Sequence, residues 1–389
     1  NFIGYLLKRF EDRGLSFIPT MNVHDLSSLT KYKCTAELIA SGNMPASPLM
    51  IFKDGMPNLV GWHGTPPNYN PLHPEVRQAI LTMVDEMAEL YGDSPAFKGV
   101  AFHLPRHVML WFGHADAGYN DYCVEGFEKE TGTKIPVAAG DPSRARKRWR
   151  WLKANAWDAW IAWRCRAIHG LYAEVAGRLT AQRPDLKLIV NSYRPSIRDV
   201  WEDEDYMKPG HVQRVNLEAG LDARLYANDS AIVIQQTIYP ADYRWSRAHK
   251  QGKDIERQRQ RHFQAQSFQT LQGQPTAWVN MHDRYWEDAV ARKKPIQTDW
   301  LKETGWRVST LNPTPPQFLQ HYLAPLRFGD VQTFTKGGFL IGTYGVEDEL
   351  AQFSRAFRAL PAVPFADVAA PGDVRIRSAM HAGSLYFYA

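Results

Sequence analysis

Six residues from His282 to Glu287 (His-Asp-Arg-Tyr-Trp-Glu) gather two carboxyls, an imidazole, a guanidinium and two aromatic rings. Two carboxyls are what cleavage of a glycosidic bond requires. One stabilises or attacks the developing oxocarbenium ion, and the other protonates the leaving oxygen. Asp283 or Glu287 suits the first task, with Trp286 as a platform, because sugar C–H faces pack on flat aromatic rings. The competing reading pairs Asp283 with Arg284 in a loop and leaves Glu287 solvated. For the proton donor, Asp121 in Gly118-Tyr119-Asn120-Asp121 comes first and Asp25 second, with Asp116 and Asp242 behind them. Asn120 or Asp121 equally suits the cap of the helix that starts there.

Other polar residues fall beside these. His24, His103 and His282 raise a metal reading, yet their spacing matches no metal motif, and hydrogen bonds to sugar hydroxyls are the alternative. Arg106, Arg194, Arg244 and Arg284 suit a carboxylate or sulfate on a substrate, because guanidinium grips oxyanions with two parallel bonds. Structural salt bridges are their other use. Asn191, Tyr193, Tyr239 and Trp62 complete the candidate substrate-binding set. The acidic cluster Glu202 to Asp205 reads as a solvated loop. Neither a metal nor an organic cofactor is expected.

What would bring these residues together is an alternation of short β-rich runs and amphipathic helices, the pattern of a parallel sheet with helical crossovers. Strands are expected at Leu15 to Val23, Phe97 to Leu104, Leu186 to Asn191, Ala231 to Tyr239, Thr276 to His282 and Val331 to Thr335. Helices are expected at Ile3 to Arg13, from Pro74 to Leu90, at Tyr122 to Thr131, Trp149 to Gln182, Ile255 to Leu271, Gln317 to Leu326 and Glu347 to Leu360. The stretch to Tyr69, rich in Gly and Pro, is too long for a plain connection and reads as a functional loop. Six strands in this order fit a (β/α)₈ TIM barrel lacking its first units, over residues 1–365. Residues 366–389 alternate like a hairpin and read as the start of a C-terminal β-sandwich-like domain. In such a barrel the active site lies at the C-terminal ends of the strands. His24-Asp25, His103, Arg106, Asn191, Tyr193, Arg194, Tyr239 and the run from His282 all lie at or just beyond strand ends.

The segment Asn70 to Leu104 (NPLHPEVRQAILTMVDEMAELYGDSPAFKGVAFHL) resembles the third helix and fourth strand of barrel glycoside hydrolases. In family 42 β-galactosidases and related bacterial clan A barrels, a Pro-x-x-Arg helix and a Tyr-Gly-Asp-x-Pro turn lead into that strand. Gly118 to Gly132 (GYNDYCVEGFEKETG) is similar to the helix that follows, and Trp160-Ile161-Ala162-Trp163-Arg164 to their Trp-rich helix. The resemblance spans roughly residues 1 to 365. It implies a glycoside hydrolase, with His282 to Glu287 at the seventh strand, where that clan keeps its nucleophile. One departure stands out. The clan places Asn-Glu at the end of the fourth strand, whereas this chain reads Phe102-His103-Leu104-Pro105-Arg106. The usual acid is absent there, so another loop supplies it or the chemistry differs.

Composition agrees with a carbohydrate enzyme and excludes several rivals. Aromatic residues make up 12% of the 389 residues, including 13 Trp, which suits a sugar cleft as well as a wide helix–barrel interface. No apolar run approaches the roughly 20 residues of a membrane span. The net charge of +5 is scattered, its densest run being Arg144 to Arg150, read as a solvated helix start, with a phosphate-binding surface as the alternative. That is too little for nucleic-acid binding. Cys34, Cys123 and Cys165 suggest neither a disulfide framework nor a metal cluster, and Cys165 reads as helix core. The expected substrate is a plant or algal polysaccharide or oligosaccharide, acidic ones included, met in the periplasm or outside a bacterial cell. The rivals are a barrel that binds carbohydrate without cleaving it and a polysaccharide lyase; the oligomeric state is left open.

Overall fold

The computed structural model describes residues 2–23, 26–57, 68–104, 108–192, 210–238, 276–280, 319, 322–323, 325–326, 330–337, 347–372 and 374–389. Two compact units divide the chain, Asn1–Ile234 and Gln235–Ala389. In each, parallel strands follow one another in chain order. A closed barrel is not seen among the described residues.

In the first unit, α1 (Phe2–Glu11) precedes β1 (Thr20–Met21), and the short α2 (Ala36–Ala40) follows. Strand β1 pairs with β2 (Gly99–Leu104), which pairs with β3 (Lys187–Ser192) from Gly99↔Lys187 to Leu104↔Ser192. The first strand is shorter than its sequence predicts, with only an isolated bridge from Phe17 to Phe97 before it. The N–H of Leu188 continues the ladder by donating to Ala231 O at 2.9 Å, just before β4 (Ile232–Ile238).

Helix α6 (Trp157–Gln182) packs on β3, helices α3 (Pro74–Tyr91), α4 (Asp121–Thr131) and α5 (Arg144–Asn155) pack on α6, and α7 (His211–Glu218) comes before β4. Helix α6 buries Trp160, Ile161, Ile168, Leu171, Val175 and Leu179, the stripe that its 3.6-residue period demands. Phe102 of β2 meets Tyr172 of α6 edge-on at 5.8 Å. Val100, Phe102 and Leu104 therefore face the helices, and Ala101 and His103 face the other way.

One continuous helix from Trp149 to Gln182 is expected from periodicity, but the structure breaks it at Ala156 (φ −150°, ψ 33°). Just before the break, the Asn155 side chain donates back to Trp151 O at 2.8 Å, the local competition with helix continuation that Asn favours. Neither Gly nor Pro marks the site.

In the second unit β4 pairs in parallel with β5 (Thr276–Asn280), and β5 with β6 (Thr333–Gly337). Helix α8 (Glu347–Arg358) lays Phe353 and Phe357 on Phe334, Leu326 and Val331. Its first turn is acidic and its last basic, as the helix dipole favours. The expected hairpin is present: β8 (Ile376–His381) pairs with β9 (Ser384–Tyr388), and β7 (Ala366–Val368) adds a third antiparallel strand. Arg377 ties this sheet to the unit through Asp330 at 2.9 Å, and within the sheet it donates to Tyr388 Oη at 3.0 Å.

The hairpin closes on His381↔Ser384 with Ala382 at φ 49° and Gly383 at φ 78°. Two positive φ values make a type I′ turn, which suits Asn-Gly better than Ala-Gly. Left-handed backbone costs an ordinary residue about 1–2 kcal/mol, and Asn less. Ala382→Asn should therefore stabilise the second unit by about 0.5–1 kcal/mol, read as a higher urea midpoint.

Candidate functional site

The strand-end rule leads to one described pair. His103 and Asn191 are register partners at the C-terminal ends of β2 and β3. By strand alternation both lie on the sheet face turned away from α6. The backbone is committed to the ladder, so at these two positions the polar groups left are the side chains. Asn191 is 2% exposed, and its Oδ1 has no hydrogen-bond partner among the described residues. A buried acceptor left without a donor costs about 1–3 kcal/mol. An incoming hydroxyl would remove that cost. Imidazole and amide together bind and orient hydroxyl groups; they supply no carboxyl.

Of the residues singled out from sequence, this pair is brought together. His24, Asp25, Trp62, Arg106, Tyr193, Arg194, Tyr239, His282, Asp283, Arg284, Trp286 and Glu287 lie outside the described residues.

Asp121 is placed, and it turns toward α5. Arg144 Nε and Nη2 donate to its two oxygens at 2.8 and 3.0 Å, and Arg148 Nη1 donates as well. Burial on its own would raise the Asp121 carboxyl, but the hydrogen bonds and charges of Arg144 and Arg148 hold it below the ordinary value. A carboxyl kept ionised by two guanidiniums is a poor proton donor. Nor does Asn120 cap α4: its amide donates to Ser47 O and Leu49 O and accepts from the N–H of Ile51. The basic run is corrected in the same stroke. Arg144 and Arg148, expected to be solvated, are 3% and 4% exposed.

Asp121→Asn should cost about 2–3 kcal/mol at neutral pH, less than a fully buried pair because the carboxylate is partly exposed. With its folded value depressed, Asp121 stabilises fully above an ordinary carboxylate pKa of about 4, and that contribution fades as pH falls through the folded value. Urea unfolding across pH checks this: the gap between wild type and variant should close in acid. A variant as stable as wild type at pH 7 would contradict it.

The loop between β2 and α4 is unusually well buried. Val108, Met109, Leu110, Trp111 and Phe112 are covered, and Arg164 of α6 reaches into the segment beneath it. The guanidinium of Arg164 donates to Ala117 O at 2.5 Å, His114 O at 2.7 Å and Glu218 O at 3.0 Å, and lies 4.1 Å over the Phe112 ring. Trp160 stacks on Tyr119 and Trp163 beside it. The arginine of the Trp160 to Arg164 pattern is thus an internal fastener. Asp116 on this loop is held by Lys53 at 2.7 Å. Among the described residues Glu218, at the end of α7, is the carboxyl shifted upward: burial raises it against the charges of Arg214, His114 and Arg164. No motif announces it.

A cavity of about 260 Å³ in the second unit is lined by Leu326, Asp330, Phe357, Arg358 and Tyr388. Val331 and Gln332 also line it, which puts it at the N-terminal end of β6, opposite to where such sheets hold substrates.

No family model matches the chain, and no curated protein does. Among solved structures it is similar to a β-galactosidase from the psychrophilic Marinomonas ef1, at 12% identity and a TM-score of 0.49 over 93% of this chain. The match takes in 53% of that protein, so the chain spans about half its length.

Proposed function

We propose that this chain is a large part of a (β/α)₈ barrel that hydrolyses glycosidic bonds. The observation that carries the reading is the polar pair His103 and Asn191 on adjoining parallel strand ends, with a buried Asn191 acceptor that has no donor among the described residues. Hydroxyl-rich ligands satisfy such groups. In this reading Asp283 or Glu287 is the nucleophile or base, Trp286 and Trp62 are platforms, and the arginines at the strand ends favour uronate or sulfate on a plant or algal glycan. Asp25 then leads the candidates for the acid, since Asp121 is committed to Arg144 and Arg148. Such a glycan is met in the periplasm or outside the cell.

That commitment of Asp121 also favours a second reading, a barrel that binds carbohydrate without cleaving it. Incubation with acidic and neutral polysaccharides separates the two. New reducing ends support hydrolysis. A product absorbing in the ultraviolet means a lyase, and binding without either product means the second reading.

A further inference from the structure

Helix α5 carries six cations in ten residues, from Arg144 to Lys153, and the structure sorts them. Arg144 and Arg148 turn inward to Asp121, and Lys147 pairs with Asp141. Arg146, Arg150 and Lys153 are left on the outward face at i, i+4 and i+7. All three are exposed, and no carboxylate pairs with them among the described residues. At 1.5 Å of rise per residue the stripe is about 10 Å long, close to the Debye length at 0.1 M salt, so a ligand meets it as one field. Like charges at i, i+4 repel by a few tenths of a kcal/mol, a cost that a bound anion would reverse.

Beside the stripe lies Trp149, half-buried, with Lys153 Nζ 5.4 Å and Lys53 Nζ 4.9 Å from its ring centre. Both ammonium groups lie over the ring, so Trp149 gathers cations that continue the guanidiniums of the stripe, and together they are complementary to the oxyanions of an acidic sugar chain. Nucleic acid fits less well. Its binding needs a broad basic face, whereas the chain sets 41 acidic residues against 46 basic ones, and this strip presents three cations with no carboxylate partner among the described residues.

We infer that the outward face of α5, with Trp149 at its edge, is a docking strip for a carboxylated or sulfated glycan chain. This rests on the carbohydrate reading for its ligand class, but it requires no turnover. The test is affinity electrophoresis in native gels containing polygalacturonate, dextran sulfate or neutral dextran, with duplex DNA in parallel. Wild type should be retarded by polygalacturonate, dextran sulfate or both, which tells carboxylate from sulfate, and not by neutral dextran. Arg146→Ser/Arg150→Ser/Lys153→Ser should weaken that retardation about tenfold, in line with three exposed ion pairs. A charge-matched triple at other exposed sites, Lys33→Ser/Lys129→Ser/Arg166→Ser, should retain it. The proposal is overturned by no retardation on either acidic glycan, by an equal loss in the charge-matched triple, or by equally strong retardation on DNA. If hydrolysis is absent while the α5 triple alone loses glycan binding, the strip stands and the catalytic reading fails.

Discussion

Replacing Arg164 with Met is expected to lower the unfolding free energy by about 3–5 kcal/mol, the largest stability effect of any substitution considered for this chain. The reasoning starts from charge burial. Arg164 is wholly buried and, among the described residues, has no carboxylate within salt-bridge reach, an arrangement that desolvation disfavours. What offsets it is a set of carbonyl oxygens: Ala117, His114 and Ala115 from the loop, and Glu218 from the end of α7. The last is among the carbonyls that a helix leaves unpaired at its C-terminus, where the helix dipole favours a cation. The charge thus faces oriented dipoles in place of a counter-ion.

Met keeps much of the volume but strands those carbonyls in a dry site. Phe112 would lose its cover too. Its ring is so tightly held that a Cβ at Gly118 or Gly220 would sit 2.6 or 2.9 Å from it, and both glycines have positive φ. Arg164→Lys should rescue only part of the loss, because a single ammonium cannot span carbonyls that the flat guanidinium reaches from two nitrogens. Guanidinium unfolding measures both variants, and hydrogen exchange should localise the loosening to residues 108–119. A Met variant within 1 kcal/mol of wild type would show that the carbonyls find other donors.

Arg164 also illustrates where sequence reading reaches and where it stops. Strands β2, β3, β4 and β5 and helices α3 and α4 announce themselves through hydrophobic period and turn residues, so they lie close to their expected positions. The residues that carry the family resemblance have a physical role in the structure. Arg77 of the Pro-x-x-Arg helix donates to Glu174 across the α3–α6 contact at 2.9 Å, and Gly92 of the turn accepts from Arg183. They dock helices, so they speak for fold and say little about reaction.

Inward-turned charge was hidden, because composition makes Arg144, Arg148 and Arg164 look like surface residues. So was the break at Ala156, where the apolar stripe continues across a bend marked by no helix breaker. The His103 and Asn191 pair, by contrast, was legible from the rule that chemistry sits at strand ends. Asp121 was legible only as a carboxyl after a strand. Whether such a group donates protons or anchors arginines depends on partners more than 20 positions away, which a sequence does not pair.

In the proposed hydrolase, the test of the chemistry falls on Asp283 and Glu287. Alanine at the nucleophile should lower hydrolysis about a thousandfold or more, while alanine at a general acid should cost roughly 10²–10⁴. The two roles can be told apart by the leaving group. An aryl glycoside whose phenolate leaves unaided needs little protonation, so loss of the acid is largely masked on it and loss of the nucleophile is not. If Asp283 is the nucleophile, Asp283→Ala fails on both substrate types, while Glu287→Ala falls short only as far as Glu287 donates protons or holds the sugar. If both residues lie on one loop merely to pair with Arg284, neither substitution changes kcat, and the hydrolase reading falls. Stereochemistry adds an independent constraint. Retention requires the two carboxyls about 5 Å apart and inversion roughly 6.5–9.5 Å. Product anomers observed by NMR before mutarotation therefore state how far the acid must stand from the nucleophile. A candidate such as Asp25 must meet that separation before it can be accepted as the donor.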